Sequence, residues 1–282
     1  MQLEAIEALL ARRPDDYLFH YTRQSGLHGI VNSKEIWATH IDYLNDEFEF
    51  IHAKTLAMRV LPSLSKKFND KISKLLIKEM KGCIENAGIN VCIVSFTENG
   101  DQLSQWRGYC KNSGYSLGFN YDFLKNVAIR ENWLLAPCIY DYDEQYQLME
   151  KILLEVLANN REEYPTRTED DYIAGGDLGY LLNRTAAIFK NSAFAEEQEW
   201  RLISKPLSNK SSNFSFRVGN TSLIPYFKLN LDNETQPFKI EELTVGPSTH
   251  QKLAIDAARQ FLYSNGHKKA LIKESSIPYR DW

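Results

Sequence analysis

The run Ala195-Glu196-Glu197-Gln198-Glu199-Trp200-Arg201-Leu202-Ile203 sets two carboxylates two residues apart at the start of an apolar stretch. Read as a strand, it puts Glu197 and Glu199 on one face, because strand side chains alternate with a period of two. Two acids on one face mark either an edge strand shielded by charge or a built site. Phe19-His20-Tyr21-Thr22 places an imidazole among aromatic side chains, as a hydrogen-bonded core histidine or as a ligand contact. Val94-Ser95-Phe96-Thr97 ends an apolar strand with two hydroxyls on one face, which bond nearby backbone or point into a site. In Gln105-Trp106-Arg107-Gly108-Tyr109, Trp106 suits a core, while Gln105 and Arg107 suit contacts to phosphate or base along a cleft. A competing chemistry is metal-based: Glu49 and His52 are three apart on one helical face, with His40, Asp42 and Asp46 nearby. Such a set would hold a divalent ion in a hydrolase or nuclease. A single Glu-x-x-His is not the doubled pattern of carboxylate-bridged metal sites, and Asn45-Asp46 equally suits a turn that caps the next helix.

These groups need elements to position them. Tyr17 to Thr22, Ile36 to Thr39, Asn90 to Phe96, Tyr115 to Phe119 and Trp133 to Tyr140 read as strands. Phe214 to Val218, Pro225 to Leu231, Leu243 to Val245 and Ala270 to Lys273 read likewise. Helical spacing is expected over Gly26 to Ser33, Asp101 to Tyr109, Tyr142 to Asn159, Leu178 to Asn191 and Ser248 to Asn265. One long helix is expected over Ser65 to Ala87, with Leu64, Phe68, Ile72, Leu75 and Met80 inward. Lys67, Lys71, Lys74, Lys78 and Lys81 stripe its outer side, either as a solvated face or for an anionic partner such as nucleic acid. Strands and helices are interspersed without regular βαβ alternation, which predicts an α+β fold with mixed, mostly antiparallel sheets. The expected organisation is a single α+β domain over 1–282, with residues 142–191 as a candidate helical insertion and the polar stretch 161–171 as a loop.

The chain has 282 residues, 43% of them hydrophobic and 12% aromatic, enough for a sizeable core. Its formal net charge of −4 argues against general binding to nucleic acid or to membrane surfaces. No apolar run reaches transmembrane length, and the first residues lack a signal-peptide pattern. Cys83, Cys92, Cys110 and Cys138 show no CxxC spacing, so buried free thiols in a reducing cytoplasm are expected. There is no Gly-x-Ser-x-Gly elbow and no phosphate loop.

The ordered segments LFHYT, IWATHIDYLND, VSFTENGDQLSQWRGY, GYSLGF and EEQEWRLI resemble an uncharacterised bacterial family, domain of unknown function 2971. That family name carries no activity. More distantly, a strand histidine, a strand ending in Ser-x-Thr and a Glu-x-Glu opening a strand are similar to mono-ADP-ribosyltransferases. That resemblance implies an ADP-ribosyltransferase-like core and NAD as co-substrate, with no metal. Glu199 would then be the catalytic carboxylate, and Glu197 would orient or deprotonate the acceptor. His20 would hold an NAD ribose, and Ser95 with Thr97 would stand in for the Ser-Thr-Ser strand, although Phe96 takes the place of its middle Thr. Tyr21, Trp37 or Tyr43 would stack on nicotinamide, and Arg107 or Arg201 would grip the pyrophosphate; Thr22, Asn45, Gln105 and Trp106 complete the candidate cleft. Breaking the ribose–nicotinamide bond develops oxocarbenium charge, which a fixed carboxylate stabilises best in a water-poor pocket. The implied role is a toxin or phage-defence effector acting in the cytoplasm on a nucleic-acid or protein acceptor, with no membrane partner. The open alternatives are a nucleotide-binding or sensor module without turnover and a metal-dependent nuclease.

Overall fold

A computed structural model of the chain describes residues 4–44, 49–110, 113–163, 173–208 and 210–278. Among these lie the strands β1 (Tyr17–Thr22), β2 (Glu35–His40), β3 (Cys92–Thr97), β4 (Tyr115–Asn120) and β5 (Leu134–Pro137). They are followed by β6 (Glu199–Ile203), β7 (Phe214–Val218), β8 (Leu223–Asn230), β9 (Glu242–Val245) and β10 (Leu271–Glu274). The strands join one sheet in the order β10-β9-β4-β1-β3-β2-β8-β7, with β6 between β3 and β5. Only β9 and β10 run parallel; the other pairings are antiparallel. The fold is therefore α+β with a mixed, mostly antiparallel sheet, as the interspersed elements predicted.

The helices are α1 (Glu4–Leu10), α2 (Gln24–Ser33), α3 (Glu49–Lys67), α4 (Lys71–Asn86), α5 (Leu103–Tyr109), α6 (Tyr121–Glu131), α7 (Tyr142–Glu163), α8 (Ile173–Thr185) and α9 (Gln251–Ser264). One apolar core joins α1, α3, α4, α7 and α8 to Ile93, Ala136 and Ile203. A second joins α2, α6 and α9 to alternating residues of the same strands, among them Leu18, Val94, Phe96, Trp200 and Leu202. The period of two along β3 and β6 thus feeds two cores, one on each face of the sheet. A small third cluster, Phe19, Tyr21, Trp106 and Cys110, lies under α5.

Two expectations change. The helix read over Ser65 to Ala87 is two helices, because the chain ends α3 at Lys67 and restarts at the cap Asp70. The Asp70 carboxylate accepts from the Ser73 backbone N–H at 3.0 Å and from its hydroxyl at 2.7 Å. The restart resets the helical phase, so Ser73, Leu76, Ile77, Met80 and Ile84 face inward and Ile72 and Leu75 are exposed. Lys71, Lys74, Lys78 and Lys81 remain on the exposed side of α4, whereas Lys67 belongs to α3. Sequence reading also missed α6, which Asn120 caps by accepting from the Phe123 N–H at 3.2 Å. No described helix is long and apolar enough to cross a membrane.

The central strand β3 is shared in an unusual way. β6 runs beside it from Ile93 to Thr97. On its other edge, β2 pairs only at Cys92 and Ile93 and β1 only at Thr97. The sheet forks there, with Ser95 in the gap.

Candidate active site

A pocket opens at this fork, lined by Phe19, His20 and Tyr21 of β1, Ser95 and Phe96 of β3, and Gln105 and Tyr109 of α5. Glu197 and Glu199 complete it. Alternation along the strands puts Ser95 on the face opposite Val94 and Phe96, so the fork admits side chains from both faces of the sheet. The cavity is about 50 Å³, room for a few waters.

His20 spans the gap. Its Nδ1 lies 3.0 Å from the Ser95 carbonyl oxygen. A carbonyl only accepts, so Nδ1 carries the hydrogen and Nε2 is left as an acceptor. Burial lowers the pKa of the ring, against the opposing pull of that bond, and favours the neutral imidazole. The ring is tilted against Phe96 with centroids 5.8 Å apart.

The two glutamates do not occupy one strand face, as the sequence suggested. Glu197 ends a 3₁₀ turn (Ser192–Glu197), Gln198 turns the chain with φ of 43°, and β6 starts at Glu199. β6 is paired on both sides and buried throughout, which excludes the edge-strand reading. What brings the carboxylates together is Lys190, whose ammonium donates to Glu197 Oε2 and Glu199 Oε2. Arg201 donates from Nε to Glu199 Oε1 at 2.8 Å and from its Nη2 to Oε2 at 3.1 Å, and its Nη1 reaches the Ala187 carbonyl at 2.7 Å. Burial by itself would raise the Glu199 pKa; Arg201 and Lys190 overcome it and hold the carboxyl well below the usual range. The Glu199 backbone N–H donates to the Tyr140 hydroxyl at 2.9 Å.

Helix α5 supplies the remaining wall. Gln105 is 7% exposed, and its side-chain amide makes no hydrogen bond among the described residues. Tyr109, one turn on, shares that face. Tyr109 is 37% exposed overall, but the dense surroundings of its ring, and then the negative charges of Glu197 and Glu199, push its phenol up to about 12. The helix is held from below. Trp106 is buried against Tyr21 with ring centroids 4.6 Å apart, and its Nε1 donates to Asp101 at 2.8 Å. The Tyr21 hydroxyl donates to the Asn99 carbonyl and accepts from the Gln102 N–H, both at 2.9 Å. The Gln102 amide donates to the Glu196 carbonyl at 2.6 Å, tying the start of α5 to the glutamate turn.

Of the residues predicted from sequence, His20, Tyr21, Ser95, Gln105, Glu197 and Glu199 meet in this pocket. Thr97 stands opposite Glu199 in the β3–β6 ladder, but its hydroxyl accepts from the Asn99 N–H at 3.2 Å and does not line the cavity. Trp106 is a core residue, and Arg201 buttresses Glu199 instead of facing a pyrophosphate. Thr22 and the exposed Arg107 lie outside the lining. Trp37 stacks on Tyr226 at 4.4 Å, and Tyr43 packs edge-on to His40 at 6.0 Å; neither lines the pocket. Asn45 and Asp46 lie outside the described residues, as does the Glu49 side chain. Of the metal set, His52 is hydrogen-bonded to Gln145 at 2.7 Å, whereas His40 faces Asp42 at 3.7 Å. Among the described residues no three His, Cys, Asp or Glu side chains gather to hold an ion.

Sequence reading missed Lys190, Tyr140, Tyr109, Phe19 and Phe96. Tyr109 was within reach, since it lies four residues after Gln105 on a helix. Lys190 offers no local signal; only the fold sets it between two carboxylates.

Residues 105–202, about a third of the chain, match the model of a family described as a protein of unknown function (DUF2971). The matched span includes Gln105, Tyr109, Lys190, Glu197, Glu199 and Arg201, and excludes His20 and Ser95. No curated protein and no solved structure matches the chain.

Proposed function

We propose that this chain is an NAD-dependent ADP-ribosyltransferase-like enzyme, with its catalytic centre at the fork of the sheet. The observation that carries the reading is the meeting of His20, Ser95 and the Glu197–Glu199 pair, from three separate segments, in one pocket. These are the positions that the resemblance to mono-ADP-ribosyltransferases implies.

In this reading the neutral His20 accepts a ribose hydroxyl at Nε2. The Glu199 carboxylate, kept ionised by Arg201 and Lys190, lies beside the sugar. The bond between ribose C1′ and the nicotinamide nitrogen breaks, its electron pair leaves with nicotinamide, and Glu199 stabilises the cation left on the sugar. Glu197 takes the proton of the incoming acceptor, which is water in hydrolysis and a macromolecular nucleophile in transfer. The lysines on the outer side of α4 suit an anionic acceptor. The cavity is small, so most of the dinucleotide, its rings included, lies along the open side.

One observation favours a second reading, a ligand-binding module without turnover: Lys190 bonds both carboxylates and offsets the charge that would face the sugar. Nicotinamide release separates the two. Purified protein is incubated with NAD, with and without cell lysate, beside Glu199→Gln and Glu197→Gln variants whose folding is checked by circular dichroism. Release that Glu199→Gln abolishes supports the enzyme, and labelling of lysate distinguishes transfer from hydrolysis. Binding without release supports the module; neither binding nor release overturns both.

A further inference from the structure

The geometry points to Gln105 as the residue that selects the leaving base, by pairing its side-chain amide with the carboxamide of nicotinamide. This inference rests on the proposed ADP-ribosyl chemistry and adds a specificity determinant to it. Gln105 is more than nine-tenths buried, lines the cavity, and has no hydrogen-bond partner for its amide among the described residues. Its amide atoms are not sealed from the cavity, so a ligand seated there can pair with them in place of water. The carboxamide of nicotinamide sets an NH2 donor group and a carbonyl acceptor in one plane, so it can pair reciprocally with a glutamine amide. The mouth of the pocket offers aromatic surface from Phe19, Tyr21 and Phe96, with Tyr109 one helical turn after Gln105. The base next to the carboxylates must be nicotinamide, since it is bonded to the ribose carbon that Glu199 faces in this reading.

The test compares NAD with nicotinic acid adenine dinucleotide, which differs only in having a carboxylate for the carboxamide, and with ADP-ribose, which lacks the base. Affinities are measured by calorimetry for the full chain and for Gln105→Met, which keeps the length of the side chain but not its amide. The expected result is a preference for NAD over the acid on the order of tenfold or more in the natural protein. Gln105→Met should lose most of that preference and bind ADP-ribose unchanged. An unchanged preference overturns the inference and leaves the proposed function standing. An equal loss for ADP-ribose also overturns it, because Gln105 would then contact the ADP-ribose part and not the base. No NAD binding by the natural protein removes the proposed function and this inference together. If Gln105→Met fails to fold, Gln105→Asn, which withdraws the amide by one methylene, replaces it with the same expected outcomes.

Discussion

His20 donates from Nδ1 to the Ser95 carbonyl at 3.0 Å, within the gap between the β2 and β1 pairings of β3. A side chain here does the work of a missing strand neighbour. The bond satisfies a backbone acceptor in the fork, fixes the ring, and leaves Nε2 as an acceptor.

The first prediction concerns acid. Burial keeps the folded His20 neutral, while the unfolded ring takes up a proton as pH falls through 6.5. The unfolded state then binds more protons, so stability falls below that pH until the folded ring also titrates. Buried His267 acts in the same direction, and Glu199 adds its loss only below its ordinary value of 4.5. Denaturant unfolding at pH 7 and pH 5 should therefore show a smaller acid loss in His20→Asn than in the natural protein. Equal losses would refute the account.

Lys190 is 6% exposed and holds two carboxylates. Lys190→Met leaves Glu197 without that partner and Glu199 with Arg201 alone, and should destabilise the fold by about 3 kcal/mol. Adding Glu197→Gln to that variant should recover part of the loss, because the carboxylate left without its partner is removed while Arg201 keeps Glu199. Additive losses in urea unfolding would mean that the pair is not coupled.

Asp101 joins three parts of the chain. It accepts from Trp106 Nε1 at 2.8 Å, the Ser275 hydroxyl at 2.5 Å, and the Ser276 N–H and hydroxyl at 2.8 and 2.9 Å. Asp101→Ala should cost about 2 kcal/mol. Under the proposed function it should also weaken NAD binding, since Trp106 anchors the helix that carries Gln105. Tryptophan fluorescence during unfolding, with calorimetry, checks both effects.

Two glycines make a paired test. A Cβ at Gly114 would lie 2.5 Å from Cys110 Sγ and 2.6 Å from the Thr22 carbonyl oxygen, and backbone yields little. Gly114→Ala should destabilise by about 1–3 kcal/mol. At Gly108, within α5, an added Cβ meets nothing within 4 Å, so Gly108→Ala should stabilise by about 0.5 kcal/mol or more. Thermal melts that rank the two in the opposite order would contradict the packing described.

The alternating and helical patterns carried much of the fold. YLFHYT is β1 and NVCIVSF covers β3 up to Phe96, one residue short of its end, since short apolar runs rich in aromatic and β-branched residues favour strands. The spacing of Leu148, Ile152, Leu153, Val156 and Leu157 likewise matches the buried side of α7. Where local capping overrode the pattern, reading failed. Asp70 broke an apparently continuous helix, and Asn120 began a helix that sequence reading did not mark.

The chain by itself determined which groups were available: His20, Ser95, Gln105, Glu197 and Glu199 all stood out by type and spacing, and all line one pocket. It left undecided which neighbours those groups would meet. Trp37 and Tyr43 were as plausible as Phe96 or Tyr109, because an aromatic residue in a strand or turn has no local mark of the cavity it will line. Only the tertiary structure forked the sheet at Ser95, moved Glu197 into a turn and set Lys190 between the carboxylates. Those outcomes depend on pairing and charge contact between segments far apart in sequence, and nothing in a local run of residues encodes them.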